Sequence, residues 1–174
     1  MNSDDGIEAQ DGSWESIVSA HGLRVYRVAQ RILGSVQDAE DVSQEVFLEA
    51  FRVFQKDPIQ SWVGLLVRLA TLRSLDFRRR RRIDAQLSDQ DCVLQFDPSV
   101  PLIKAELAQR LRDAVGQLPV QQATVFVMTF YEQMSRTEIA KALGISQEAV
   151  STSLFKARQR LSKIMSLSQE ESRR

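Results

Sequence analysis

Apolar residues recur every three or four positions along most of the chain, which is the spacing of one face of an α-helix. A first run begins at Trp14 and stops at Gly34, a second covers residues 38–54, and a third covers residues 59–82. The inward positions of the first run are Ile17, Val18, His21, Val25, Val28, Ala29 and Ile32. Strand-like alternation does not occur in the sequence. The pattern therefore predicts an all-α fold.

The periodicity stops between residues 84 and 101, where several Asp and Ser residues and two prolines predict a flexible linker. It resumes in four segments, residues 102–117, 120–131, 136–143 and 147–165. We predict two small helical domains, with a linker between them and a tail at each end. The predicted boundaries are 1–12 for the first tail, 13–83 and 102–167 for the domains, 84–101 for the linker and 168–174 for the second tail.

Composition rules out several kinds of site. Cys92 is the only cysteine and His21 the only histidine, so the sequence predicts no internal disulfide, no metal site and no cofactor. It also lacks the Ser/His/Asp or Cys/His set of a hydrolytic enzyme. No run of about 18 apolar residues occurs, and the amino terminus is acidic. We expect a cytoplasmic, non-enzymatic protein that neither inserts into a membrane nor binds a small-molecule substrate.

The formal net charge is zero, but the charges are sorted along the chain. Residues 1–66 carry 5 basic and 11 acidic side chains, net −6, whereas residues 67–83 carry 7 basic and 1 acidic, net +6. Residues 84–101 are net −4, and residues 102–174 are net +4, from 11 basic and 7 acidic side chains. Two basic zones separated by acidic ones are typical of a protein that contacts DNA at two points and has another, basic partner.

Residues 135–161 have the layout of a helix-turn-helix motif. Ser135 and Glu138 have the spacing of a capping box, Gly144 supplies the positive φ that ends the first helix, and Ser146 caps the second. In this motif, exposed residues early in the second helix contact base edges, and later basic residues hold phosphates. The DNA-contact candidates are Ser146, Gln147, Glu148, Ser151, Thr152, Lys156, Arg158, Arg160 and Lys163. A structural three-helix bundle with a solvated polar face is the alternative.

Five consecutive arginines, residues 78–82, end the third helical segment. They spread around a helix surface, so at least three can face a phosphate backbone together. A solvated face, a localisation signal or a tail would have the same composition. The helix-turn-helix motif in the same chain favours a nucleic-acid contact.

The second helical segment carries an acidic face, formed by Asp38, Asp41, Gln44, Glu45 and Glu49. Acids in the first turn of a helix are favoured by its dipole. Taken in isolation, this segment is explained by a solvated acidic face.

Together these segments resemble the extracytoplasmic-function (ECF) sigma factors, over residues 14–161. The resemblance implies that the acidic face docks on the clamp helices of the largest subunit of core RNA polymerase. It implies that the third helix contacts the minus-ten promoter element through Arg73, Asp76, Arg78, Arg79, Arg80, Arg81 and Arg82. It also implies that the carboxy-terminal domain binds the minus-thirty-five element and the polymerase flap.

The same resemblance implies further partners. The sequence also departs from the family pattern at several positions, two of which lie on the second helix of the helix-turn-helix. An anti-sigma factor is an expected partner, and an unstacked promoter base is expected to bind near residues 53–61. Phe54 or Trp62 could stack on that base, but a core position is favoured for both. Ser151 and Ser153 stand where relatives commonly have basic residues, which predicts a weak minus-thirty-five contact. The alternative function is a helix-turn-helix regulator that is not a polymerase subunit.

Overall fold

The computed structural model describes residues 13–56, 58–88 and 102–171. The predicted first tail, residues 89–101 of the predicted linker, and residues 172–174 lie outside the described residues. Within the described ranges the regular secondary structure is helix with no strand, which confirms the all-α prediction. The helices are α1 (Trp14–Leu33), α2 (Val36–Phe54), α3 (Trp62–Ser88), α4 (Leu102–Gly116), α5 (Val120–Phe130), α6 (Arg136–Leu143) and α7 (Gln147–Glu171).

Two helices extend beyond their predicted ends. The pattern predicts that α3 ends at residue 82 and α7 near residue 165, but they continue to Ser88 and Glu171. The predicted ends rest on the loss of apolar periodicity, and that loss does not by itself end a helix. Neither extension contains Gly or Pro, and the Ala, Gln, Leu and Glu residues in them are good helix formers, so the backbone continues. The exact domain boundaries stay predictions.

The joint between α1 and α2 explains why these helices pack side by side. Gly34 adopts φ +78° and its N–H donates to the carbonyl oxygen of Gln30, which ends α1 in a left-handed cap. Ser35 then caps α2, because its Oγ accepts a hydrogen bond from the N–H of Asp38 at 3.3 Å. A joint this short makes the two helices antiparallel neighbours.

The amino-terminal domain is the three-helix unit α1–α3, in which each helix contacts the other two. Its core is formed by fully buried aliphatic side chains. They include Ile17, Val25, Val28, Ile32, Val42, Val46, Leu66 and Leu75. One end of this core is aromatic: Trp14 lies 4.9 Å from Phe51 and 6.2 Å from Trp62 between ring centroids, and Phe54 lies 5.6 Å from Trp62. Phe54 and Trp62 are partly buried and pack against the core through this aromatic cluster.

The carboxy-terminal domain is the four-helix unit α4–α7, and α3 packs against it as well. Helix α5 is buried along most of its length, and α7 contacts α4, α5 and α6. Helix α3 contacts α5 and α6 on the side that faces away from its own domain. Gly64, Thr71 and Ser74 are consequently buried although they interrupt the apolar pattern. The threonine hydroxyl donates to the carbonyl oxygen of Val67 at 2.8 Å.

The described residues were compared with the requirements of a membrane-spanning helix and of a metal site, and they meet neither. None of the helices there is long and apolar enough to cross a membrane. No group of three or more His, Cys, Asp and Glu side chains within the same ranges could hold a metal ion.

The single histidine of the sequence, His21, lies on the buried side of α1. His21 is 7% exposed, and its Nδ1 has no hydrogen-bond partner. Burial, with a smaller contribution from the positive charge of Arg24, lowers the pKa of His21 below its ordinary value of 6.5. The folded protein therefore favours the neutral imidazole more than the unfolded chain does.

Because the folded-state pKa is depressed, the unfolded chain takes up a proton first as the pH falls. We expect the free energy of unfolding to be at its full value above about pH 6.5 and to decrease as the pH falls below that value. Urea denaturation at pH 7.5 and 5.5 measures the change, with His21→Leu as the comparison. An equal decrease in His21→Leu would show that other groups cause it.

Candidate functional site

Helices α6 and α7 form the helix-turn-helix that the sequence predicts. The Ser135 Oγ accepts a hydrogen bond from the N–H of Glu138 at 3.3 Å, and the N–H of Ser135 donates to the Glu138 carboxylate at 2.6 Å. These hydrogen bonds hold the pKa of Glu138 below its usual range. Gly144 has φ +64°, and the Ser146 Oγ accepts from the N–H of Ala149 at 3.1 Å. The capping box, the glycine turn and the second cap are thus confirmed.

Helix α7 divides into a buried side and an exposed side. Val150, Ala157 and Leu161 are buried against the rest of the domain. The predicted DNA-contact residues on the exposed side are Ser146, Gln147, Glu148, Thr152, Lys156, Arg158, Arg160 and Lys163, and Ser151 is half-buried. Ser153, by contrast, is only 9% exposed. The expectation that Ser153 replaces a DNA-facing basic residue is therefore wrong, because this position faces the domain core.

The structure adds two residues to this surface that sequence reasoning missed. Arg136 begins α6, and its Nη1 donates to the Oγ of Ser151 at 3.1 Å, so a guanidinium lies beside this predicted DNA-contact residue. Phe155 lies one turn after Ser151 and is 60% exposed, which is unusual for so large an apolar side chain. The sequence alone could have indicated that Phe155 is exposed, because Leu154 and Phe155 are adjacent and a helix cannot bury both on one narrow face.

These two residues line a groove of about 390 Å³ on the helix-turn-helix. Its lining is Thr129, Met134, Arg136, Ile139, Val150, Ser151, Leu154, Phe155 and Arg158. The groove combines apolar wall atoms with two guanidinium groups. A surface of this kind can contact both the apolar edge of a base and a phosphate.

The arginines of α3 are distributed among different partners. Arg80, Arg81 and Arg82 are exposed, and the Nη1 of Arg81 lies 2.7 Å from the Asp38 carboxylate. Arg78 is largely covered, and it donates to the Asp113 carboxylate of α4 and to the carbonyl oxygen of Ile32. The exposed members therefore form a basic surface at the end of α3.

The acidic face of α2 lies next to this basic surface. Asp41, Gln44 and Glu45 are exposed. Glu49 instead accepts from Arg73 at 2.7 Å, and this hydrogen bond is the main reason that the pKa of Arg73 is raised. Three of the five predicted polymerase contacts are therefore open to solvent. The other two, Asp38 and Glu49, are paired with arginines that are predicted to contact DNA.

Comparison with known proteins identifies the family. The model described as "Sigma-70 region 2" matches residues 17–83, and the model described as "Sigma-70, region 4" matches residues 108–161. The ECF RNA polymerase sigma factor SigE of Mycolicibacterium smegmatis is 35% identical over 161 residues, which cover 90% of this chain and 63% of that protein. The chain belongs to the ECF sigma factors.

Other relatives agree with the assignment of this ECF sigma factor. SigW of Bacillus subtilis is 25% identical, with 87% of this chain and 88% of SigW covered. The structure of CnrH in complex with the cytosolic domain of CnrY has a TM-score of 0.55 at 24% identity, covering 90% of this chain and 91% of that chain. The latter likeness shows the fold. The chain spans less than two thirds of the length of SigE but most of SigW.

The turn that precedes the helix-turn-helix contains a strained residue. Gln133 adopts φ +53°, the left-handed region that favours glycine. The two residues before it are tied to α1, since Glu132 pairs with Arg24 and the carbonyl oxygen of Tyr131 accepts from Arg31. These contacts hold the turn in its conformation despite the strain.

We predict that Gln133→Gly raises the free energy of unfolding by about 0.5–1 kcal/mol, because glycine adopts this φ without a Cβ clash. Urea denaturation measures the change. The control is Gln159→Gly on the exposed side of α7, which should lower the same quantity by about 1 kcal/mol. A decrease for Gln133→Gly would contradict the assignment of strain to this turn.

Proposed function

We propose that this ECF sigma factor binds core RNA polymerase and directs promoter-specific transcription initiation by recognising minus-ten and minus-thirty-five elements. Helix α2 would contact the clamp helices, α3 the minus-ten element, and α7 the minus-thirty-five element. We include an anti-sigma factor among its partners. Two of the similar structures are complexes, CnrH with CnrY and RpoE with the anti-sigma factor NepR of Bartonella quintana.

One observation carries the proposal. A capped helix-turn-helix with an exposed polar and basic face occurs in the same chain as the neighbouring acidic and basic surfaces of α2 and α3. The first feature suits duplex DNA in the major groove. The second suits a partner with its own basic surface, together with a phosphate backbone.

The same features disfavour the other candidate functions. A helix-turn-helix regulator that works without polymerase has no use for the acidic face of α2, and the region 2 match covers that helix. We propose that the chain catalyses no reaction itself and acts in the cytoplasm, where promoter DNA and core polymerase are available.

Run-off transcription with purified core polymerase on genomic fragments tests the function. The expected result is a set of transcripts that core polymerase alone does not produce. Equal transcript patterns with and without the chain would overturn the proposal, and a folded protein that binds promoter DNA but not core polymerase would favour the regulator.

We predict that reversing two exposed acids of the predicted docking face of α2, in Asp41→Lys with Glu45→Lys, weakens binding to core polymerase by about tenfold or more. The reason is that both acids face solvent on the proposed docking surface. Glu15→Lys with Glu106→Lys, on α1 and α4, is the control that makes the same change in charge at exposed positions away from this face. Fluorescence anisotropy with labelled sigma factor, titrated with core enzyme, measures the affinity. Equal losses in both proteins would show that net charge, not this surface, determines binding.

Phe155 is expected to contact a thymine methyl group in the minus-thirty-five element, since an exposed phenylalanine on a recognition helix suits that apolar edge. We predict that Phe155→Ala reduces discrimination at one base pair by roughly 1–3 kcal/mol. Lys156→Ala should instead weaken binding to all sequences alike and reduce the salt slope by about one. Binding titrations on a set of single-base promoter variants distinguish these outcomes, and uniform weakening by Phe155→Ala would contradict the assignment.

A further inference from the structure

Arg136 is the first residue of α6, but its side chain reaches the second helix of the helix-turn-helix. Its Nη1 donates to the Oγ of Ser151 at 3.1 Å, and these two residues are 15 positions apart in the chain. The Ser151 hydroxyl donates to the carbonyl oxygen of Gln147 at 2.9 Å, which leaves its oxygen able to accept from the arginine. The guanidinium of Arg136 is therefore held against the second turn of α7.

This position places the guanidinium among the predicted DNA contacts. In a helix-turn-helix the first helix crosses the phosphate backbone, and the second helix lies in the major groove. Arg136 belongs to the first helix by sequence, but its guanidinium lies beside Ser151 of the second. Ser151 has a short, uncharged side chain, so by itself it predicts a weak minus-thirty-five contact. With Arg136 bound to it, the same position presents a positive charge.

The charge next to Arg136 favours a base contact over a phosphate contact. Glu148 is exposed and lies three residues before Ser151 on α7. A hydrogen bond from its own backbone N–H, and a second from Ser146, lower the pKa of Glu148, and the positive charge of Arg136 contributes to the same decrease. The carboxylate is therefore ionised at neutral pH, and it repels a phosphate group that approaches Arg136. The acceptor atoms of a base edge carry no net charge, so this repulsion is much smaller for them.

Arg136 has the donors that recognition of guanine requires. A guanidinium carries five N–H donors in a planar fork, and the hydrogen bond to Ser151 uses Nη1. Nε and Nη2 can then donate together to O6 and N7 of a guanine, which is the commonest base-specific contact in the major groove. The side chain is exposed, and it lines the groove of about 390 Å³ together with Phe155, which is 60% exposed. A base pair that contacts Phe155 therefore has Arg136 close to its neighbours.

We propose that Arg136 recognises a guanine of the minus-thirty-five element and that Ser151 positions its guanidinium for this contact. The inference rests on the proposed function and names one base pair of that element. Ser151 and Phe155 are four residues apart on α7, or about 6 Å at 1.5 Å per residue. Successive base pairs are about 3.4 Å apart. The guanine is therefore expected one or two base pairs from the thymine assigned to Phe155.

Sequence selection with the full-length chain bound to core RNA polymerase tests the proposal. The probe is a promoter fragment identified by run-off transcription, with its minus-thirty-five region randomised, and the bound fragments are sequenced. We expect wild type to prefer one G·C pair by about tenfold or more, and Arg136→Ala to lose the preference at that pair alone. Alanine is the best helix former, so this change should leave α6 folded.

Arg158→Ala is the matched control, because Arg158 lines the same groove and the change removes the same charge. The Arg158 guanidinium lies 5.3 Å from the centre of the Phe130 ring, and we expect it to hold a phosphate. Arg158→Ala should therefore weaken binding to all sequences alike and reduce the salt slope by about one. The preference for the G·C pair should remain.

Three further variants separate base recognition from a structural role. Arg136→Lys keeps the charge but lacks the planar fork, so it should retain the salt slope and lose most of the preference. Ser151→Ala removes the acceptor that positions Arg136 and should reduce the preference, whereas Ser151→Thr keeps a hydroxyl and should retain it. If Arg136 only held α6 against α7, its loss would lower the free energy of unfolding and weaken binding to every sequence equally.

Loss of preference at one G·C pair in Arg136→Ala, with the other pairs recognised as before, supports the proposal. Equal weakening of binding to all sequences would overturn it, because Arg136 would then contact phosphate or act only within the protein. Selection by Arg136→Ala that equals selection by wild type would also overturn it, even if the chain with core polymerase starts transcripts.

A second selection separates this inference from the proposed function. The full-length chain alone is incubated with a pool of random DNA duplexes. If the chain with core polymerase starts no transcripts, the proposed function fails, but a G·C preference of the chain alone that Arg136→Ala abolishes would still support recognition of guanine by Arg136. If neither selection enriches any sequence, the inference is overturned as well.

Discussion

The arrangement of this protein depends on the burial of α3 on two sides. One side, with Leu66 and Leu75, completes the three-helix core of the amino-terminal domain. The other side packs on α5 and α6, where Gly64 allows backbone contact with Ala142. Because one helix serves both packings, its orientation determines where the arginines at its end and the helix-turn-helix lie relative to each other.

Ion pairs connect the acidic face of α2 with the arginines of α3, and they also connect the two domains. Within the amino-terminal domain, the acids Asp38 and Glu49 lie beside Arg81 and Arg73, so the proposed polymerase and DNA surfaces are neighbours. Between domains, Arg24 and Arg78 pair with Glu132 and Asp113. Ion pairs whose side chains are partly exposed to solvent contribute little to the free energy of unfolding. They can nevertheless determine which carboxylate each arginine contacts.

The helix-turn-helix shows how far local patterns predict a structure. Ser135, Glu138, Gly144 and Ser146 act as the sequence indicates, because capping and left-handed turns depend on residues a few positions apart. Ser153 faces the core although the sequence groups it with Ser151, since one polar residue in a helix can face a core if its hydroxyl is accommodated there. Phe155 and Arg136 entered the candidate site only when α6 and α7 were seen together.

The sequence by itself determined the helical class, the approximate helix ranges, the caps and the sorting of charge, all of which follow from interactions between residues close in the chain. It also determined the family resemblance, which the family models confirm. Tertiary structure alone decided that Arg78 pairs with Asp113 and that Gly64 is in contact with α6. The members of these pairs are separated by 35 and by 78 positions in the chain, and no periodic pattern relates residues that far apart. Such contacts depend on how two completed domains fit together.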